Sequence, residues 1–155
     1  MTLLAGHGLS IGLPRGWEGR IYVSDLAAPA VNLPVLHATD LTLTSERSTF
    51  APEIAARAGG TGTLVALAEF ESRLANVGLY ERTTLGLPIR RQDLHANALQ
   101  VPVPELEGHQ RFCSLGDRAF ALYLVVGTGP GLTERLDRVN EMLGTIEVRP
   151  LGESR

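Results

Sequence analysis

The serine of Gly8-Leu9-Ser10-Ile11-Gly12 stands in the G-x-S-x-G spacing of a hydrolase nucleophile. That chemistry needs a strand before the serine and a helix after it, so that a strained turn lifts the hydroxyl clear of the backbone. Here little chain precedes the serine and Pro14 follows at once, so the stretch reads as a glycine-containing strand. Gly127-Thr128-Gly129-Pro130-Gly131 falls between a strand pattern and a helix pattern, a context that suits phosphate binding at a helix N-terminus. The third glycine of a dinucleotide fingerprint would fall at Leu132, and no parallel strand can follow the helix. A strand-to-helix turn is the better reading. His7, His37, His95 and His109 lack the short spacings of metal ligands. Cys113, the single cysteine, sits in an apolar strand-like run and reads as a packing residue. All 14 basic residues are Arg, so a lysine Schiff base and a Walker-type phosphate loop are both excluded. No catalytic set, metal or cofactor is expected.

Two groups remain as candidates for contact with a partner. Arg90-Arg91-Gln92-Asp93 is the densest charged patch of the chain and lies in an irregular stretch. It reads as an exposed loop contacting an anion or a protein, or as a solvated turn in which Asp93 caps the next helical turn. Two adjacent guanidiniums are costly to bury together and no acidic pair lies near them, so Arg90 and Arg91 are expected at the surface, with Leu94 and Leu99 turned inward. Trp17 is the second candidate. It sits with Tyr22 around Glu18 and Arg20, after a tight Pro-x-Gly turn that favours a core or rim anchor.

These residues must be positioned by a small set of elements. Leu9, Ile11 and Leu13 alternate as a strand, and Arg20 to Val23 reads as a second, joined to the first as a hairpin across Pro14-Arg15-Gly16. Val35 to Leu43 alternates again, with one face partly wet. Ser48 to Arg57 is a short helix with Pro52 in its first turn, ended by Gly59-Gly60-Thr61-Gly62. Thr63 to Glu71 is a buried strand. Residues 72–108 are irregular, with a helical turn expected from Asp93 to Leu99. His109 to Leu115 and Arg118 to Gly127 make a hairpin about Gly116-Asp117, the clearest one in the chain. Leu132, Leu136, Val139 and Leu143 then form one apolar helix face, with Glu134 and Arg138 paired outside it and Gly144 as the C′ residue that ends it. Ile146 and Val148 suggest a terminal strand.

The 155 residues suit one domain over residues 1–150, with 151–155 as a tail. Apolar residues make up 44% of the chain and run along its whole length, which argues against disorder. Net charge is −3 with no basic stripe, so nucleic-acid binding lacks its electrostatic driving force. Ala119 to Gly127, the longest apolar run, is too short to span a bilayer. Met1 to Gly12 has no basic start and no long apolar core, so no export signal is read and a cytoplasmic setting is expected.

An opening hairpin with Leu13-Pro14-Arg15-Gly16-Trp17, then antiparallel strands, a late hairpin and a closing amphipathic helix around Arg138-Val139-Asn140-Glu141-Met142-Leu143 together resemble the PsbP-like superfamily. The resemblance implies an α+β fold, an α/β/α sandwich around a central antiparallel sheet with a C-terminal amphipathic helix. It also implies a non-enzymatic binding or assembly role and brings no catalytic residues. Many bacterial relatives look exported or lipid-anchored, and since no leader is read here, a departure from them in location is expected. The expectation is a protein-interaction or assembly module, with a protein partner or self-association through Arg90, Arg91, Asp93 and Trp17. The alternative is a small-molecule binder or enzyme using a cleft beside residues 86–110, with Arg90, His95 and His109 near it.

Overall fold

A computed structural model describes residues 1–23, 33–45, 48–99 and 102–151. Its strands are β1 (Thr2–Gly6), β2 (Leu9–Leu13), β3 (Glu18–Val23), β4 (Pro34–Thr39), β5 (Thr63–Phe70), β6 (Leu106–Leu115), β7 (Arg118–Gly127) and β8 (Glu147–Val148). Two α-helices join them, α1 (Pro52–Ala56) and α2 (Leu132–Leu143). The fold is α+β. A five-stranded antiparallel sheet runs β3-β4-β5-β7-β6, and a three-stranded antiparallel sheet runs β1-β2-β8.

The large sheet is covered on both faces. Alternation along β5 sends Val65 and Leu67 into the main core with Leu9 and Ile11 of β2 and Leu136, Val139 and Leu143 of α2. Leu64 and Ala66 point the other way, into a second core closed by Ile54 of α1. The two helices thus lie on opposite faces of the sheet, and the small sheet shares the α2 side. Central β5 and β7 are almost wholly buried, which is why they read as continuous apolar runs rather than alternating ones.

The hairpin expected between β2 and β3 does not form. β2 pairs with β1 and β8, and β3 pairs with β4. The Pro14–Trp17 corner, with Gly16 at φ 84°, moves the chain from one sheet to the other. β4 ends at Thr39 and is buried along its whole length, so neither of its faces is wet. α2 keeps its predicted span, but Gly144 stays right-handed at φ −64° and the chain winds on through i→i−3 bonds to Thr145 and Ile146. Among the described residues no ion pair joins Glu134 to Arg138. The turn expected over Asp93–Leu99 resolves into two 3₁₀ turns, Arg91–Asp93 and Ala96–Ala98, on either side of an isolated antiparallel bridge from His95 to Gly108.

Candidate functional site

Residues 82–95 form a strap over the edge strand β6, on the α2 side of the large sheet. Its apolar residues fix it from below, because Leu85, Ile89 and Leu94 all belong to the main core. Hydrogen bonds fix it along its length. The Arg82 carbonyl accepts from the Ser114 amide at 2.7 Å, and the Thr84 carbonyl accepts from Arg111 Nε at 2.9 Å. Gly86, at φ 71°, sits so close to the Arg111 guanidinium that a Cβ there would lie 2.6 Å from Cζ. At the middle of the strap, Asn140 of α2 grips the Ile89 backbone on both sides. Its Oδ1 accepts from the Ile89 amide at 2.7 Å and its Nδ2 donates to the Ile89 carbonyl at 2.9 Å. At the far end, His95 and Gly108 exchange both backbone hydrogen bonds, at 2.8 and 3.0 Å.

Arg90 and Arg91 project from this fixed backbone and are exposed, and neither guanidinium has a hydrogen-bond or carboxylate partner among the described residues. Asp93 is half-buried. It does not cap the following turn. Its carboxylate reaches back and accepts from the Arg90 amide at 2.8 Å, closing the turn that presents the two arginines. Leu94 is buried as expected and Leu99 is half-buried. Trp17 leaves the candidate surface, because at 8% exposure in the main core its ring has no face to offer a partner.

His109, on β6, faces the underside of the strap. Its Nδ1 lies 3.3 Å from the Asp93 carbonyl, and since a carbonyl only accepts, Nδ1 carries the hydrogen. Burial lowers the His109 pKa, with smaller downward pushes from Arg111 and His95, against upward pulls from the Asp93 carbonyl and carboxylate. Arg90, His95 and His109 do not converge on a cleft. His95 is exposed, and Leu85, Ile89 and Leu94 fill the space between strap and sheet. A small cavity of about 110 Å³ does border Leu99, Val103 and Leu106, on the α1 side, but apolar side chains line it.

The other motifs take structural roles. In the loop 127–131 the Gly127, Thr128 and Gly129 amides donate to Gly62, Glu105 and Gly60 carbonyls, each at 2.8 Å, so these three are committed within the fold rather than turned toward an anion. The carbonyls of Gly127, Gly129 and Pro130 converge on the buried guanidinium of Arg135 instead. Ser10 lies in the middle of β2 opposite Ala5 and Glu147, not on an elbow. It lines an open groove of about 500 Å³ with His7 and Glu147, and no hydrogen bond joins the three among the described residues. His37 is fully buried, accepting from Arg20 Nε at Nδ1 (3.1 Å) and contacting the Thr49 carbonyl through Nε2 (2.7 Å). No group of three or more His, Cys, Asp or Glu among the described residues could hold a metal.

Sequence reasoning missed the buried pair Arg118–Glu69. The two close at 2.5 and 2.9 Å with side chains 4% and 2% exposed. Arg118 also donates to the His7 carbonyl at 3.1 Å and the Arg149 carbonyl at 3.0 Å, so it ties the small sheet to the large one. The available signal was Glu69 itself, a carboxylate on the same face of β5 as Val65 and Leu67. Asn140 gave no signal beyond its place beside the apolar face of α2.

No protein-family model, curated protein or solved structure matches this chain. The strap itself is part of the core, but the side chains of Arg90 and Arg91 have no structural role among the described residues. No described helix is long and apolar enough to cross a membrane.

Proposed function

We propose that this chain is a non-enzymatic protein-interaction module, cytoplasmic, that docks a protein presenting acidic side chains to the Arg90–Arg91 surface. One observation carries the reading. Two adjacent exposed guanidiniums without partners among the described residues stand on a strap whose backbone is held by β6 and by Asn140. Arginine offers a planar fork that matches carboxylates in two bonds. A backbone already fixed before docking lowers the ordering cost of binding. The order of elements, which resembles the PsbP-like superfamily, supports a binding role over a catalytic one.

The test is capture of partners from the native host with the wild-type chain and with Arg90→Ala/Arg91→Ala as baits. The expected result is loss of specific partners at an unchanged melting temperature. Capture of the same proteins in the same yield by both baits would remove the function from this surface.

A further inference from the structure

We infer that the strap surface is self-complementary and docks a second copy of this chain, with α2 of each copy receiving the arginines of the other. The inference rests on the partner-binding reading above and names the partner. The outward face of α2 carries Glu134, Asp137 and Glu141, all exposed. Their spacing of three and then four residues places them in one stripe along the helix. None of the three makes an ion pair among the described residues, and Arg138 beside them makes none either. Asn140 links this stripe to the strap. Asp137 lies three residues before Asn140 and Glu141 one after, within a helical turn of the point where Asn140 holds Ile89, and Arg90 is the next residue of the strap.

Unpaired cations and unpaired carboxylates therefore sit side by side on one rigid surface. A patch of this kind matches itself under a twofold rotation, in which residue i of one copy meets residue j of the other and j meets i, the geometry of the commonest homodimers. Complementary charge sets orientation and encounter rate more than affinity. The large exposed hydrophobics among the described residues, Met1, Leu3, Val77 and Leu79, lie on or beside β1 and in the turn near residue 78, outside residues 82–95. The dimer is accordingly weak, concentration-dependent and sensitive to salt.

Sedimentation equilibrium over a range of chain concentrations tests this. In low-salt buffer the wild-type chain is expected to show a monomer–dimer equilibrium that collapses to monomer in about 1 M NaCl, where the Debye length is only about 3 Å. Arg90→Glu/Arg91→Glu and Asp137→Arg/Glu141→Arg should each be monomeric, and mixing the two should restore a one-to-one heterodimer. Circular dichroism and a thermal melt check that each variant is folded. If a charge reversal unfolds, Arg90→Ala/Arg91→Ala takes its place and is likewise expected to be monomeric. A wild-type chain that stays monomeric at low salt up to its solubility limit overturns the inference. So does a dimer that survives both reversals, or a mixture that fails to pair. A monomeric wild type leaves the interaction reading standing, because that reading fails separately, when the alanine bait captures the same proteins.

Discussion

Arg118 and Arg90 are the same side chain put to opposite uses. Every nitrogen of the Arg118 fork donates to an acceptor: both Glu69 oxygens and the carbonyls of His7 and Arg149. Arg135 is treated alike, closed on the carbonyls of Gly127, Gly129 and Pro130. Arg90 and Arg91 also sit on a hydrogen-bonded backbone, yet they are exposed and their guanidiniums have no partner among the described residues. Where the chain buries an arginine it supplies partners, because a buried charge without them costs several kcal/mol. Where it leaves two open on a fixed strap, the order of the backbone is not needed to satisfy them. That contrast separates the structural arginines from the candidate functional ones more sharply than their positions in the sequence do.

Breaking the Arg118 junction should have the largest effect. Arg118→Ala leaves Glu69 buried without its counter-ion and frees the carbonyls of His7 and Arg149, so a loss of about 3–5 kcal/mol in unfolding free energy is expected from chemical denaturation. The double change Glu69→Leu/Arg118→Met removes the orphaned charge and should recover part of that loss. A single variant as stable as wild type would mean that the small sheet does not depend on this tie.

Asn140→Ala comes next and acts on the strap itself. It leaves the Ile89 amide and carbonyl without their partner, so a cost of about 1–3 kcal/mol is expected. Faster hydrogen exchange should be confined to residues around Ile89. A uniform rise across the domain would instead show that the strap is part of the global fold and not a separately held element.

The difference in legibility follows the range of the interactions. The β6–β7 hairpin and α2 could be read from the sequence because their signals are local: a Gly-Asp turn between two strand patterns, and an apolar face repeating at helical spacing. The exposure of Arg90 and Arg91 was legible for the same reason, since the cost of burying two neighbouring charges needs no knowledge of the rest of the chain. The β2–β3 pairing was misread because adjacency along the chain does not say which sheet a strand joins, and Pro14–Trp17 is a corner between sheets. Glu69–Arg118 spans 49 residues. A carboxylate in an apolar strand announces the need for a cation, but any of 14 arginines could have supplied it. Trp17 read as a core or rim anchor from its tight turn yet stayed a contact candidate, and its burial in the main core is what removes it from the surface.

A smaller effect distinguishes the underside of the strap from its outer face. His109 is disfavoured as a cation by burial first, and then by Arg111 and His95, so its pKa is lowered from 6.5. Below that value the unfolded chain binds more protons than the folded one. The stabilising contribution is therefore complete above about pH 6.5 and is lost as pH falls from there through the lowered folded-state value. Denaturation curves at several pH values should show this slope, and His109→Gln should flatten it in that window. An unchanged slope would place the titration elsewhere.

Arg90→Ala/Arg91→Ala should have the smallest effect on stability, and that near-neutrality matters as much as the large cost at Arg118. The turn is closed by the Arg90 amide donating to the Asp93 carboxylate and by the amides of Asp93 and Leu94 donating to the carbonyls of Arg90 and Arg91, so the two arginines take part only through their backbone. Alanine retains every one of these bonds. Neither side chain covers a partner, so no acceptor is orphaned. A change within about 0.5 kcal/mol is expected, as for surface positions away from caps and cores. For a domain of this size that corresponds to a melting shift of about 2 °C or less. A fall of the size expected for Arg118→Ala would show that the two guanidiniums are tied into the fold, and the contrast between closed and open arginines would fail. A neutral melt combined with lost binding is the pattern that only an open, functional pair produces.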